Sequence, residues 1–480
     1  SESEIELNRN LLDNGINIVD IDTFSVEETF SVAILYINNL GSDADESLAY
    51  NLTDEIISDC EYINELRPSN FNDILEYKKS DMSRTDIGRK LEVENVLQGS
   101  LLRDKDEIKL SFALININDG KVLWNEKWST QIIHNKKIRK HIMQSIISKF
   151  NLEIPLTLQN YYSEEITLNS KALETYYKGK YSSDQLKSSD DLAEAKKNLQ
   201  TAIDLDNQFI EAYSEFGLVC HRLGQYDSAE TNLNKALNIA EKKNDDQGFA
   251  SIYNVMNIVN NSQGKYKKAR ENIEKALEIQ INLNNKLKEA KFRTNYANCL
   301  NQLGEVELAL EQNQKAISIK ESLEEHKSLG VSYGVLANTY YATGDYSKAL
   351  EFATKSVGVF RMNEMSNFEG RLLVIISDLH MLLGQYDKMT KYMNEAEPIM
   401  KSFNESFLLG KLELMKSRKY LSDNDMDKSV EHIDNCIDLF EMAEQRPFLI
   451  EAFIEKMKIL KEMNDLSKVK KIISKIEMLL

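Results

Sequence analysis

Proline is nearly missing from this chain: four residues in 480, alongside 18 glycines, four cysteines and six histidines. So few helix breakers exclude a proline-rich spacer and leave helix-rich structure as the expectation. Cys60, Cys220, Cys299 and Cys436 form no CxxC or CxxxC pair, which argues against a thiolate metal site. They read as buried free thiols and fit a reducing, cytoplasmic setting. No run of 18 apolar residues exists to span a bilayer, and Ser1 opens no secretory leader. The start at Ser1 instead suggests a segment of a longer protein. Basic blocks are absent too. Lys and Arg number 59 against 77 Asp and Glu, for a net charge of −18. Phosphate backbones need a concentrated cationic face, so no nucleic-acid partner is implied.

Signatures of catalysis are equally scarce. There is no GxxxxGK[ST] phosphate loop, and His134, His141, His221, His326, His380 and His432 are dispersed, without HExxH. The acidic run at 423–427, DNDMD, lacks the glycine and terminal glutamate of a calcium loop and coincides with an expected turn. In GSDADES, residues 41–47, Ser47 is the candidate cap of a following helix. No catalytic residue, metal site or cofactor follows from these motifs, and an enzyme within these residues is not expected.

What the chain has in abundance is repetition. Gly224, Gly264, Gly304, Gly344 and Gly384 stand 40 residues apart, and Asn424 and Asn464 continue the series. Two residues after each comes Tyr226, Tyr266, Val306, Tyr346, Tyr386, Met426 or Leu466. Five and twelve after come mainly alanines, such as Ala229 with Ala236, Ala269 with Ala276 and Ala309 with Ala316. Stepping back 34 residues from Gly224 reaches Asp190, followed by Leu192, Ala195 and Ala202. A constant period of this length marks stacked helix pairs. Gly or Asn suits the left-handed residue between helices. The paired small residues lie two turns apart on one face, where they let helices approach closely. The preceding helix carries matching small residues at Gly217, Ala297, Ala337, Ser377 and Ser417, with Asn257 the exception.

The pattern resembles the tetratricopeptide repeat, one unit of 34 residues and the rest of an elongated 40-residue form. It implies an all-α superhelix of about eight repeats over residues 172–480. The first 171 residues differ: an acidic lead-in at 1–29, a domain at 30–155 and a connector at 156–171. SVAILYI (31–37) reads as a strand, residues 47–63 as a helix, 84–93 as a short helix and 137–150 as an amphipathic helix. Between the last two lie three strands, with Asp119-Gly120 as a hairpin signal and a break in alternation near Asn116. The expected fold is therefore α+β followed by all-α: a small mixed sheet with helices packed on it, then the helical array.

NVLQGSLLRDKDEIKLSFALININDGKVLWNEKW resembles the TolB-like domain that follows the catalytic domain of many bacterial class III adenylate cyclases. The matching residues are Val93, Leu97, Gly99, Ser100, Asp119, Gly120 and Trp124. SVAILYINNL, NLTDEII, NFNDILEYK and TDIGRKLEV align in order, and ALETYYKGK matches the junction into the first repeat. The same tandem also follows winged-helix DNA-binding domains and protein kinase domains. The resemblance implies a non-catalytic regulatory region that binds a protein or peptide and belongs to an adenylate or guanylate cyclase. A winged-helix regulator's sensor tail and a free-standing scaffold remain the alternatives.

In such arrays the first helix of each pair lines the inner surface. There the middle repeats place Asn254, Asn261, Asn298, Asn301 and Asn338, next to Tyr341. Asparagine offers donors and acceptors that can pair with a peptide backbone, so these six residues are the candidate groove. A carboxylate clamp of Lys with Asn is not expected, because Thr294 and Gly334 sit where the lysine would be. At the C-terminus, Ile472, Ile473, Ile476, Leu479 and Leu480 form an apolar stripe. What does not pack back on its own repeat is expected to favour a homodimer.

Overall fold

A computed structural model describes residues 29–479, apart from 64, 106, 186–188, 324–325, 363–364, 404 and 444–445. Residues 1–28 of the 1–29 lead-in and Leu480 thus lie outside the described residues. The chain divides into two compact units, Ser1–Ser170 and Lys171–Leu480.

The first unit is built on a mixed sheet. Its elements are β1 (Phe30–Ile34), β2 (Asn38–Asn39), α1 (Glu46–Cys60), β3 (Leu66–Pro68), α2 (Phe71–Glu76) and α3 (Arg84–Lys90). Then come β4 (Asn95–Asp104), β5 (Glu107–Asn116), β6 (Val122–Gln131), α4 (Asn135–Ile147) and α5 (Leu156–Tyr161). The strand order is β3-β1-β4-β5-β6, with β2 also on β4. β1 runs parallel to β3 and β4, which requires the intervening helical crossovers. β4, β5 and β6 form an antiparallel meander. The register slips between Leu114 and Ile115, beside the break in the sequence alternation, and Gly120 turns the hairpin with φ 69°.

Helices α1 and α4 meet around a buried ion pair. The Arg139 guanidinium donates to Asp59 through both Nε, at 2.7 Å, and Nη2. Tyr162 Oη adds a third donor to Asp59 at 2.7 Å. Ser47 is not a cap, contrary to expectation. It lies inside α1, buried, whereas Ser42 accepts from the Ala44 N–H at 3.0 Å and starts a short 3-10 turn ahead of the helix. Asp45, which then precedes α1, is committed instead to Arg103 at 3.1 Å.

The second unit is eight helix pairs. The first four are α6 (Ser170–Gln185) with α7 (Ser189–Leu205), α8 (Ile210–Arg222) with α9 (Tyr226–Lys243), α10 (Asp246–Ser262) with α11 (Tyr266–Asn282), and α12 (Lys286–Leu303) with α13 (Val306–Ser322). The last four are α14 (His326–Thr343) with α15 (Tyr346–Met362), α16 (Ser366–Leu382) with α17 (Tyr386–Ser402), α18 (Ser406–Ser422) with α19 (Met426–Met442), and α20 (Arg446–Glu462) with α21 (Leu466–Leu479). The residue two after each Gly or Asn is the first residue of each second helix from α9 onward. Those seven turn residues all have positive φ, between 59° at Asn424 and 80° at Gly344. In the first pair the second helix starts earlier, at Ser189, so Asp190 is already helical.

Small residues are where the helices cross. Ala229, Ala236, Ala269, Ala276, Ala297, Ala309, Ala316 and Ala337 are all fully buried. At some polar positions the group is satisfied across the crossing, whereas Ser377 bonds back to the Leu373 carbonyl of its own helix. Ser417 and Ser429 exchange hydroxyl-to-carbonyl bonds at 2.8 and 3.0 Å, and Asn257 donates to the Ala269 carbonyl at 3.1 Å. The middle repeats also keep a polar interior. Lys320 is 1% exposed, and its ammonium donates to Thr294 Oγ1, Ser332 Oγ and the Ser328 carbonyl at 3.0, 2.8 and 3.0 Å. The next repeats place Phe360, Met400 and Phe440, all buried, at that same position. First helices touch first helices one repeat on, as in α8 with α10, α12 with α14 and α16 with α18, so they share one surface.

Two glycine substitutions should separate packing from helix propensity. A Cβ at Gly410 would lie 2.6 Å from Cε1 of Phe440, a fully buried ring with no room to move. Gly410→Ala is expected to destabilise by about 1–3 kcal/mol, outweighing the helix gain of about 1 kcal/mol. A Cβ at Gly358 meets nothing within 4 Å, so Gly358→Ala should stabilise by about 0.5–1 kcal/mol. Thermal unfolding of the full chain checks both signs.

Candidate functional site

The shared surface of first helices carries a cavity of about 590 Å³. Its lining comes from α12 (Gln302), α14 (Asn338, Tyr341), α16, α18 and α20 (Phe448, Glu451), and from no second helix. Leu372, Val374, Ile375, Leu408 and Leu414 form its apolar wall, and Arg371, Asp378, Lys411, Arg418 and Glu451 its charged one. Each successive first helix reaches the same groove because 40 residues return it to the same face.

Most charged groups on this wall are bonded within the protein. Tyr341 Oη donates to Asp378 at 2.5 Å. Burial, and then that bond, hold the phenol above its ordinary pKa. Arg418 donates to Glu451 at 2.9 Å and faces Glu455 at 3.6 Å. Arg371 donates to Asn367 at 2.9 Å and pairs with Glu405. Lys411 differs. Its Nζ sits 5.1 Å from the Phe407 ring centroid and 5.0 Å from that of Phe448. Among the described residues it has no hydrogen-bond or ion-pair partner. Burial pushes its pKa below the ordinary lysine value, which Asp378 and Glu451 only partly oppose.

Of the six groove candidates, Asn338 and Tyr341 line this cavity. The other four lie outside its wall. Asn254 accepts from Asn295 at 2.9 Å and Asn301 donates to Thr339 at 2.8 Å, so their amides are partly committed to neighbouring first helices. The amide oxygen of Asn261 is buried without a protein partner. Asn298 is half-buried and Asn338 exposed. Sequence reasoning missed Val374, Ile375, Lys411, Leu414 and Phe448. A signal was present: the column Ser214, Asn254, Thr294, Gly334 turns apolar at Val374 and Leu414.

At the C-terminal stripe, Ile472 is buried and Ile476 packs against the terminal core, leaving Ile473 43% exposed. The side chain of Leu479 and the residue Leu480 lie outside the described residues. All four cysteines are buried and unpaired. Burial raises the Cys299 and Cys436 thiols to about 11 and about 12. Among the described residues no cluster of His, Cys, Asp or Glu is placed to hold a metal, and no helix is long and apolar enough to cross a membrane. DNDMD is the α18–α19 turn, where Asp425 caps the Lys428 N–H at 3.2 Å and pairs with its ammonium at 2.9 Å.

Comparison with known proteins agrees with this architecture. A tetratricopeptide repeat family model matches residues 208–282 and 288–362. A Rhizobium meliloti protein provisionally named adenylate cyclase 3 is 20% identical over 222 residues, 45% of this chain and 38% of that protein. The match thus spans well under half of that relative. Among solved structures, a Rap protein complexed with competence and sporulation factor is 15% identical, covering 72% of this chain and 93% of its own, with a TM-score of 0.52. Aspartyl phosphate phosphatase F from Bacillus subtilis is 18% identical, covering 72% and 90%, with a TM-score of 0.47. The chain carries tetratricopeptide repeats, and its second unit has the tetratricopeptide-like superhelical fold.

Lys411 makes a direct test of whether the cavity is built for stability. An ammonium half-removed from water without an acceptor contributes little to folding. Lys411→Met is therefore expected to keep or raise stability, within about 1 kcal/mol. A larger loss in chemical denaturation would reveal a structural role.

Proposed function

We propose that residues 171–480 form a peptide-binding regulatory module of a class III adenylate cyclase, and that residues 30–155 are its TolB-like domain. The observation that carries the reading is the 590 Å³ groove, assembled from first helices alone and walled by both aliphatic and charged side chains. Such a mixed lining suits a peptide, whose side chains need apolar contact and whose backbone needs polar partners. Asn338 and Tyr341 supply amide and phenol groups at one end. In this reading Asn254, Asn261, Asn298 and Asn301 extend the same surface toward the earlier repeats. Two comparisons support it: the partial likeness to a protein named as an adenylate cyclase, and a Rap protein of the same fold that forms a complex with competence and sporulation factor.

The cyclase assignment is tested on the product of the whole gene. It is expected to make cyclic AMP, at a rate changed severalfold when residues 171–480 are deleted. No cyclic nucleotide, or a rate indifferent to the deletion, overturns the assignment. The groove is tested separately by filling it. Ile375→Trp adds an aromatic ring to the apolar wall and is expected to weaken any bound peptide about tenfold or more. Unchanged binding would place the site elsewhere.

A further inference from the structure

The charged wall of the groove holds three cations, Arg371, Lys411 and Arg418, and two carboxylates, Asp378 and Glu451. Both arginines are satisfied by carboxylates of the protein, Glu405 for Arg371 and Glu451 with Glu455 for Arg418. The cation left without a bonded acceptor among the described residues is Lys411. Phe407 and Phe448 hold its ammonium by their ring faces, a contact that attracts the cation but gives its N–H donors no oxygen. Asp378 on α16 and Glu451 on α20 act on it only at a distance, each being bonded elsewhere. The burial-driven fall in its pKa agrees with an ammonium that still lacks an acceptor.

What Lys411 lacks is one acceptor oxygen group. A phosphate dianion would bring two negative charges toward Asp378 and Glu451, whereas a carboxylate brings only one. The groove runs over five successive first helices, from Gln302 to Glu451, which suits an extended strand of chain over a compact molecule. Resting on the peptide-binding reading above, we infer that Lys411 receives the side-chain carboxylate of an Asp or Glu in an extended peptide. The flanking aliphatic residues of that peptide lie against Val374, Ile375 and Leu414.

A random heptapeptide library displayed on phage, selected on the full chain, tests this. Peptides enriched on the wild type are expected to share one acidic residue among aliphatic ones. As synthetic fluorescent peptides they should lose about tenfold or more in affinity when that residue becomes Gln or Asn, or when the protein carries Lys411→Met. The two changes together should cost little more than either alone. Lys411→Glu should turn the selection toward Lys- or Arg-containing peptides. Enriched peptides without an acidic residue, or acidic peptides that bind Lys411→Met as tightly, overturn the inference and leave the groove standing. If nothing is enriched, or if Ile375→Trp leaves every selected peptide bound, the peptide-binding reading fails and this inference with it. The amide-substituted peptides are measured on the wild-type protein, so a folding defect in a variant does not decide the outcome.

Discussion

Everything in the second unit depends on how closely two antiparallel helices can approach. Alanine, serine or glycine on both sides of most crossings, with Asn257 and Met389 among the exceptions, brings the backbones together, and the crossing recurs because one left-handed residue reverses the chain at a fixed interval. Neither feature acts alone. The turn sets direction but not separation, and small residues set separation but not register. Ser417 and Ser429 show how tight the constraint is, since two hydroxyls there reach each other's carbonyls across the pair.

The repeat dictates the backbone and leaves the columns of exposed and interior side chains free to change. That freedom is used in two places. In the interior, one column runs from Lys320, held by hydroxyls, to Phe360, Met400 and Phe440, held by hydrophobic contact. On the inner surface, a polar column becomes Val374 and Leu414, and the neighbouring column supplies Arg371, Lys411 and Glu451. A uniform superhelix thereby acquires a chemically distinct stretch in its later repeats, where an apolar wall flanks an ammonium with no bonded acceptor among the described residues. An apolar floor lowers the local dielectric and strengthens whatever the cation pairs with.

Much of this was legible from sequence because it is periodic. The turn glycines, the aromatic or large apolar residue that starts each second helix from α9 onward and the buried alanines follow from spacing alone, as do the β4–β6 strands from alternation and the Gly120 turn. Elements too short for a period were missed: α2 and α5 have six residues each, less than two full turns. Ser47 misled because capping depends on backbone conformation just upstream, and Ser42 occupies that conformation. The proposed groove was half visible. Asn338 and Tyr341, marked by helix position, line the cavity, whereas the other asparagines lie in earlier repeats, where Asn254 and Asn301 bond to neighbouring helices. Lys411 could not be singled out, because its distinction is the lack of a bonded partner among the described residues, a property of three dimensions.

The central claim is that stacked first helices form a docking groove. Hydrogen exchange measured by mass spectrometry, on the full chain with and without a saturating selected peptide, tests it most directly. The account predicts added protection in the first helices around residues 338–341, 371–382 and 408–418, with the second helices unchanged. Protection confined to the second helices, or to residues 30–155, would contradict it.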